Sequence, residues 1–208
     1  SRNLAFNGSP KKRKKTKSKL KEETKTKQYT ELIRYWNKTH NLVSKSQAQN
    51  LDQHIEDSLS VFEGVGRVVV DLGSGGGLPG IPIAIKGPEK RVILVESSSK
   101  KASFLLNTTN KLGLKNVKVI HARIEDVDPA SLPKNYEIIA RAVGPTKHLV
   151  GLTKKHLDQP GTKLKLMKTE DQLNSETLPP GYAIKKTLKI PSKGKDKGRI
   201  LVTIEKDG

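Results

Sequence analysis

Apolar positions along this chain change period near residue 67, and that change organises the reading. Tyr29, Leu32, Ile33 and Trp36 stand at i, i+3, i+4 and i+7, one face of a helix that starts near Tyr29 and ends around His40-Asn41. Leu51, Ile55, Leu59 and Phe62 predict a second helix, ended by Gly64 and Gly66. From Arg67 onward, β-branched runs alternate with helical spacing. They predict strands at 67–72, 91–96, 117–121, 136–140, 162–167, 183–190 and 199–205. Helices are expected at 80–86, along Ala102, Leu105, Leu106, Thr109 and Leu112 with Gly113 as the cap, and at 145–157. Such alternation implies an α/β fold with a mostly parallel sheet covered on both faces. The last two strands have no helix between them, so they are expected to form an antiparallel hairpin, and no internal repeat is present.

Composition adds a tail. The 208 residues carry a formal charge of +19, and residues 1–28 hold eleven Lys/Arg against two Glu, or +9, leaving +10 on the body. In that segment only Leu4, Ala5, Phe6 and Leu20 are apolar, too little burial to offset ordering entropy, so it is read as disordered. Pro10-Lys11-Lys12-Arg13-Lys14-Lys15 fits a nuclear address and equally an RNA-binding arm; the reading taken is a solvated tail that adds non-specific RNA affinity. Three segments follow: a Lys-rich tail over 1–28, a helical N-terminal cap over 29–65, and an α/β domain over 66–208. A basic body implies a polyanionic partner. The chain starts at Ser1, as expected of a fragment or a processed form. It has no cysteine, which removes disulfides, thiolate metal sites and a thiol nucleophile. No apolar run reaches the roughly 18 residues of a membrane span, and nothing reads as a secretory signal.

The chemistry centres on Val68-Val69-Val70-Asp71-Leu72-Gly73-Ser74-Gly75-Gly76-Gly77-Leu78-Pro79-Gly80. A strand, a glycine-dense loop and a helix start bring free N–H groups and a partial positive charge toward a nucleotide-like ligand. Gly75, Gly77 and Gly80 also satisfy the dinucleotide pattern G-x-G-x-x-G, which supports a nicotinamide cofactor as an alternative. Asp71 opposes that alternative, because a carboxylate at the strand end repels a pyrophosphate. It suits instead the ammonium and sulfonium of S-adenosylmethionine. In an open parallel sheet the ligand lies at the carboxyl ends of the strands. There the second strand offers Glu96, 25 residues after Asp71, to accept ribose hydroxyls. The third leads into Ile124-Glu125, an apolar residue beside an acid that can flank an adenine, and the fourth ends at Arg141, beside the reacting centre. His54 and Asp57 are three apart on a helix and are spaced to pair. With five scattered His and no Cys, no metal site is expected.

Together these residues resemble one family. Trp36-Asn37-Lys38 with Asn41-Leu42, His54-Ile55-Glu56-Asp57-Ser58, the Asp71–Pro82 loop, Arg123-Ile124-Glu125 and Arg141-Ala142 are similar to the bacterial small-subunit ribosomal RNA guanine-N7 methyltransferases, also called glucose-inhibited division protein B. The resemblance runs from about Tyr29 to Lys206. It implies a class I S-adenosylmethionine-dependent methyltransferase fold, Rossmann-like, with a seven-stranded sheet and a short helical cap. It implies S-adenosylmethionine bound around Gly73 and Leu78, with the adenine near Ile124 and Glu125 and Arg141 at the cofactor, and Glu96 matches the family's acidic second-strand end. Asp71 and Gly75 are read as cofactor-binding from their place in the strand end and glycine loop. Arg141, from its place at the fourth strand end, is read as the catalytic residue that positions guanine or cofactor and moves no proton. The implied reaction methylates N7 of one guanine in 16S-type ribosomal RNA of the small subunit. A cytoplasmic monomer is expected, with an organelle stroma or matrix as the alternative compartment. The chain departs from the family pattern at Lys168-Thr169, where Lys-Gly is usual, at Gly144-Pro145, and in its Lys-rich tail. A non-enzymatic RNA-binding factor on the same fold, or an acceptor other than this RNA, remains a competing expectation.

Overall fold

The computed structural model describes residues 10–141, 144–191 and 198–208. Three helices come first: α1 (Pro10–His40), α2 (Lys45–Gln49) and α3 (Leu51–Ser60). The strands are β1 (Val68–Leu72), β2 (Arg91–Glu96), β3 (Val117–His121), β4 (Glu137–Arg141), β5 (Lys163–Thr169), β6 (Tyr182–Lys189) and β7 (Arg199–Lys206). Between them lie α4 (Gly80–Lys86), α5 (Ser99–Lys111), α6 (Thr146–Leu157) and α7 (Glu170–Asn174). One seven-stranded sheet has the order β3-β2-β1-β4-β5-β7-β6. The first five strands are parallel, and β7 pairs antiparallel with both β5 and β6, as the missing helix between the last two strands implies.

The two-residue period of the strands sorts the core into two clusters. Val69, Val92 and Leu94 point to a cluster that holds Ile81 and Ile85 of α4, Phe104 and Leu105 of α5, and Tyr29, Ile33 and Ile55 from the N-terminal helices. Val70, Ile93, Val95 and Ile138 point the other way, onto Leu149, Val150 and Leu157 of α6. Both faces of a parallel sheet are therefore buried, which is why its strands read as continuous apolar runs. The N-terminal helices share the core of the sheet's α4–α5 face. Among the described residues no helix is long and apolar enough to cross a membrane.

The disordered tail expected through residue 28 is corrected. The helix expected from Tyr29 already begins at Pro10, while residues 1–9 lie outside the described residues. Pro10 takes the first helical position, where its missing N–H costs nothing, and no Gly or Pro follows before the helix ends. Lys, Glu and Gln are good helix formers, and Tyr29 and Ile33, both fully buried, anchor the same helix to the core. Once that turn is fixed by packing, propagation toward the N-terminus no longer carries the cost of nucleation. The loop with Lys193, Lys195 and Lys197 lies outside the described residues, as do Ala142 and Val143.

Candidate active site

Gly73 (φ +68°), Gly75 (φ +55°) and Gly77 (φ +95°) turn the chain through left-handed backbone directly after β1. The Gly73 and Ser74 N–H groups donate to Val95 O at 2.9 and 3.3 Å, which joins the loop to the end of β2. Gly80 is needed for a different reason. A Cβ there would lie 2.3 Å from Leu94 Cδ2 and 2.7 Å from Asp71 Oδ2, so its hydrogen lets α4 sit directly on the sheet.

Asp71 is 1 % exposed and accepts the Gly80 N–H through Oδ2 at 2.9 Å. Burial raises its carboxyl to about 7, against the lowering by the Gly80 N–H, Ser74 and Arg141. It therefore lies beneath the loop and fastens the first turn of α4. Glu96, also buried, accepts the Gly75 N–H through Oε2 at 2.7 Å and the Ser98 N–H through Oε1 at 2.8 Å. The acid expected to receive ribose hydroxyls thus also clamps the glycine loop to the start of α5. Each of its oxygens keeps a second lone pair for a ligand.

A cleft of about 390 Å³ opens at the carboxyl ends of β1, β2 and β3. Gly73, Ile124 and Glu125 line it, together with Ser97, Arg123 and His148. Asp71, Gly75, Leu78, Glu96 and Arg141 are not among its lining residues; Leu78 is buried in the core cluster that also holds Tyr29 and Val43. The turn carrying Ile124 is held from behind. Tyr136 Oη lies 2.6 Å from His156 Nδ1, and His156 Nε2 lies 2.9 Å from Ile124 O. A carbonyl can only accept, so His156 carries its proton on Nε2 and receives the Tyr136 hydroxyl at Nδ1. Burial holds this imidazole below the usual histidine range, and it stays neutral.

Arg141 ends β4, the strand next to β1 in the sheet. Its Nη2 donates to His54 Nδ1 at 2.7 Å, and its Nη1 is buried and has no hydrogen-bond partner among the described residues. Burial lowers its pKa, with Asp57, Tyr29 and Asp71 opposing that effect and Arg199 adding to it. His54 and Asp57, whose spacing would let them pair, each reach an arginine of the sheet: Arg141 for His54 and, for Asp57, Arg199, whose Nη1 donates to Asp57 Oδ2 at 2.5 Å. Tyr29 closes the arrangement from α1 by donating from Oη to Gly76 O at 2.6 Å. The H-x-x-D-S segment of α3 is thus a strap over the ends of β4 and β7.

The two departures from the family pattern meet at one place. Lys168 Nζ, buried, pairs with Glu176 at 2.8 Å and reaches Gly144 O at 3.4 Å, while Thr146 Oγ1 donates to the same carboxylate. Burial pushes Glu176 up, but Lys168 and Thr146 outweigh it and hold the group below the usual carboxylate range. Thr169 receives the Gln172 N–H on its hydroxyl at 3.2 Å, and its own N–H donates to Gln172 Oε1 at 3.0 Å. That capping box starts α7, a helix that glycine at the same position would not cap through a side chain.

Sequence reasoning missed the Arg141–His54 contact, the Tyr29 closure and the Tyr136–His156 support. The last had a readable signal, because His156 falls on the apolar stripe of α6 with Leu149, Thr153 and Leu157. Among the described residues no group of three or more His, Cys, Asp or Glu is placed to hold a metal ion.

Comparison with known proteins gives the family and the fold. The family model for rRNA small subunit methyltransferase G matches residues 22–200. A Ribosomal RNA small subunit methyltransferase G from Hydrogenovibrio crunogenus is 36% identical over 182 residues, covering 86% of this chain and 82% of the relative. One from Azoarcus sp. is 37% identical over 182 residues, covering 85% and 84%. Among solved structures, a variant of MtNAS in complex with S-adenosylmethionine superposes with a TM-score of 0.60 at 16% identity, covering 92% of this chain and 78% of that one. A SAM dependent methyltransferase from Aquifex aeolicus gives 0.51 at 19% identity, covering 78% and 98%. The fold is that of the class I methyltransferases, and the chain belongs to the rRNA small subunit methyltransferase G family.

Proposed function

We propose that this chain transfers a methyl group from S-adenosylmethionine to N7 of one guanine in small-subunit ribosomal RNA, acting as a monomer. The observation that carries the reading is Arg141, held by His54 at the carboxyl edge of the sheet with one buried donor still unpaired. Guanidinium nitrogens only donate, so that atom fits a ligand acceptor such as the carboxylate of the cofactor's amino-acid end. Ile124 and Glu125 line the cleft and fit an adenine: an apolar side chain for its face and a carboxylate for its amino group. Glu96 and the Gly73–Gly75 loop suit the ribose and the methionine part. The nicotinamide alternative falls with family membership.

When bound, the cofactor supplies an electrophilic methyl on its sulfonium. Guanine N7 has a lone pair and no proton to lose, so no side chain has to act as a base. What remains for this chain is alignment and charge placement. Arg141 fixes the ligand beside the strand ends, His54 fixes Arg141, and Asp71 with Glu96 shapes the loop beneath. The N7 face of paired RNA lies in a groove too narrow for side chains, so the target guanine is unpaired or exposed. The reaction belongs where a small ribosomal subunit is made, in the cytoplasm or in an organelle stroma or matrix.

The test is transfer of label from S-adenosylmethionine to undermethylated small-subunit RNA and to small-subunit particles. Label on a single guanine is the expected result. No label with calorimetric cofactor binding would redirect the search to another acceptor. Absence of both would leave an RNA-binding factor on this fold as the better account.

A further inference from the structure

The charged half of α1 is not needed to complete the core, and the family match begins at residue 22, beyond its first turns. Lys14, Lys17, Lys21 and Lys25 nevertheless stand on one line of that helix and form one wall of a groove of about 420 Å³. The other wall is the end of α4, where Lys86 is held with its Nζ 4.6 Å over the Phe62 ring. Glu22 is the acid among the lining residues, and none of the four ridge lysines enters an ion pair among the described residues. Burial, then the neighbouring Lys21, lowers the pKa of Lys25. The groove is a gap in the charge balance of the molecule.

We propose that this ridge and Lys86 form a track for the phosphate backbone of the RNA, separate from the methylation cleft. The proposal rests on the reading of RNA as substrate. The eleven residue steps of helix from Lys14 to Lys25 span about 16 Å, or one cation per roughly 5 Å, the same order as the phosphate rise of about 3.4 Å along one strand. The helix runs past α4, with Tyr29 at the Gly76 end and Lys21 and Lys25 beside Ile85 and Lys86. Lys14 therefore stands about 22 Å along the axis from Tyr29, so the track runs up to about that distance from the glycine-loop end of the helix. An anionic membrane fits this surface less well, because residues 14–27 contain Leu20 as their one apolar residue and offer no apolar face to insert.

The experiment measures affinity for small-subunit RNA between 50 and 200 mM salt, as fluorescence anisotropy, for three proteins. These are the full chain, a quadruple variant (Lys14→Gln, Lys17→Gln, Lys21→Gln, Lys25→Gln), and a charge-matched control (Lys111→Gln, Lys115→Gln, Lys118→Gln, Lys134→Gln). Glutamine keeps helix propensity, and calorimetric cofactor binding verifies that each variant is folded. Each lost phosphate contact removes about 0.7–0.9 from the slope of log affinity against log salt. The ridge variant is expected to lose about 3 from that slope, with KM for RNA raised and kcat and cofactor affinity unchanged, and the control to lose less than 1. Equal losses in both variants would reduce the ridge to net charge and overturn the proposal. An unchanged RNA slope with lost retention on phosphatidylserine vesicles would assign the ridge to a membrane and overturn it as well. If the unaltered chain neither binds nor methylates the RNA, the functional reading fails instead, independently of the ridge.

Discussion

Arg141 at the end of β4 and His54 on α3 are 87 residues apart in sequence and share one hydrogen bond of 2.7 Å. Because the guanidinium can only donate, His54 Nδ1 is the acceptor and its proton sits on Nε2. The bond sets one nitrogen of Arg141; the other is buried and unpaired among the described residues, and the proposed function gives it to a ligand. His54→Ala removes the strap without touching the cleft, and Arg141→Lys removes the planar fork. Each is expected to lower kcat/KM for methyl transfer about 10- to 100-fold, as misplacement of an aligning group does. Full turnover in the Arg141→Lys enzyme would contradict the role given to this residue.

Asp71 makes the protein sensitive to pH. Burial raises its carboxyl from 3.8 to about 7, above the unfolded value, so its contribution favours the fold at pH below about 4 and is lost as pH rises to about 7. Thermal unfolding across pH 4 to 7 is expected to show this decline in the native protein and a flatter profile in Asp71→Asn. A cationic ligand nearby favours the carboxylate, so cofactor binding near pH 7 releases on the order of half a proton. Calorimetry in two buffers of different ionisation enthalpy measures that proton, and identical heats would refute it.

Glu96 holds two backbone donors, on Gly75 and Ser98. Glu96→Ala leaves both without that acceptor, at a cost of about 1–3 kcal/mol for each one not reached by water. Cofactor Kd is expected to rise at least about tenfold, with faster amide exchange at Gly75 and an intermediate effect in Glu96→Gln. Weakened binding with unaltered exchange would separate the ribose role from the clamp.

Tyr136 and His156 support the cleft from behind. Tyr136→Phe leaves Nδ1 of a buried imidazole without its donor and is expected to cost about 1–3 kcal/mol in chemical denaturation. Because the folded pKa of His156 is lowered, the native protein resists its protonation, and stability falls as pH drops below the unfolded value of about 6.5. His156→Gln, which cannot titrate, is expected to lack that part of the acid loss.

Much of this was legible in sequence for a physical reason. Runs such as Val68–Leu72 and Arg91–Glu96 carry a local period, and the glycines at 73, 75 and 77 mark backbone that other residues rarely adopt. Asp71, Glu96, Ile124 and Arg141 are read from the rule that ligands sit at strand ends; the structure puts Ile124 in the wall of the cleft and the other three outside its lining. Side-chain partners across long separations carry no such period: Asp57 with Arg199, 142 residues away, is a product of topology. The five-residue helices α2 and α7 were missed because their length hides periodicity, although Ser44 with Gln47 and Thr169 with Gln172 spell capping boxes. The helix from Pro10 to Gln28 was missed because composition alone was weighed, without the anchor that Tyr29 and Ile33 give it.

The most direct measurement compares label transfer to small-subunit RNA made with guanosine and with 7-deazaguanosine, in which carbon replaces N7. The account predicts about one methyl per guanosine RNA and none on the deaza RNA. Equal labelling of both would contradict it, because the acceptor would then be an atom other than guanine N7.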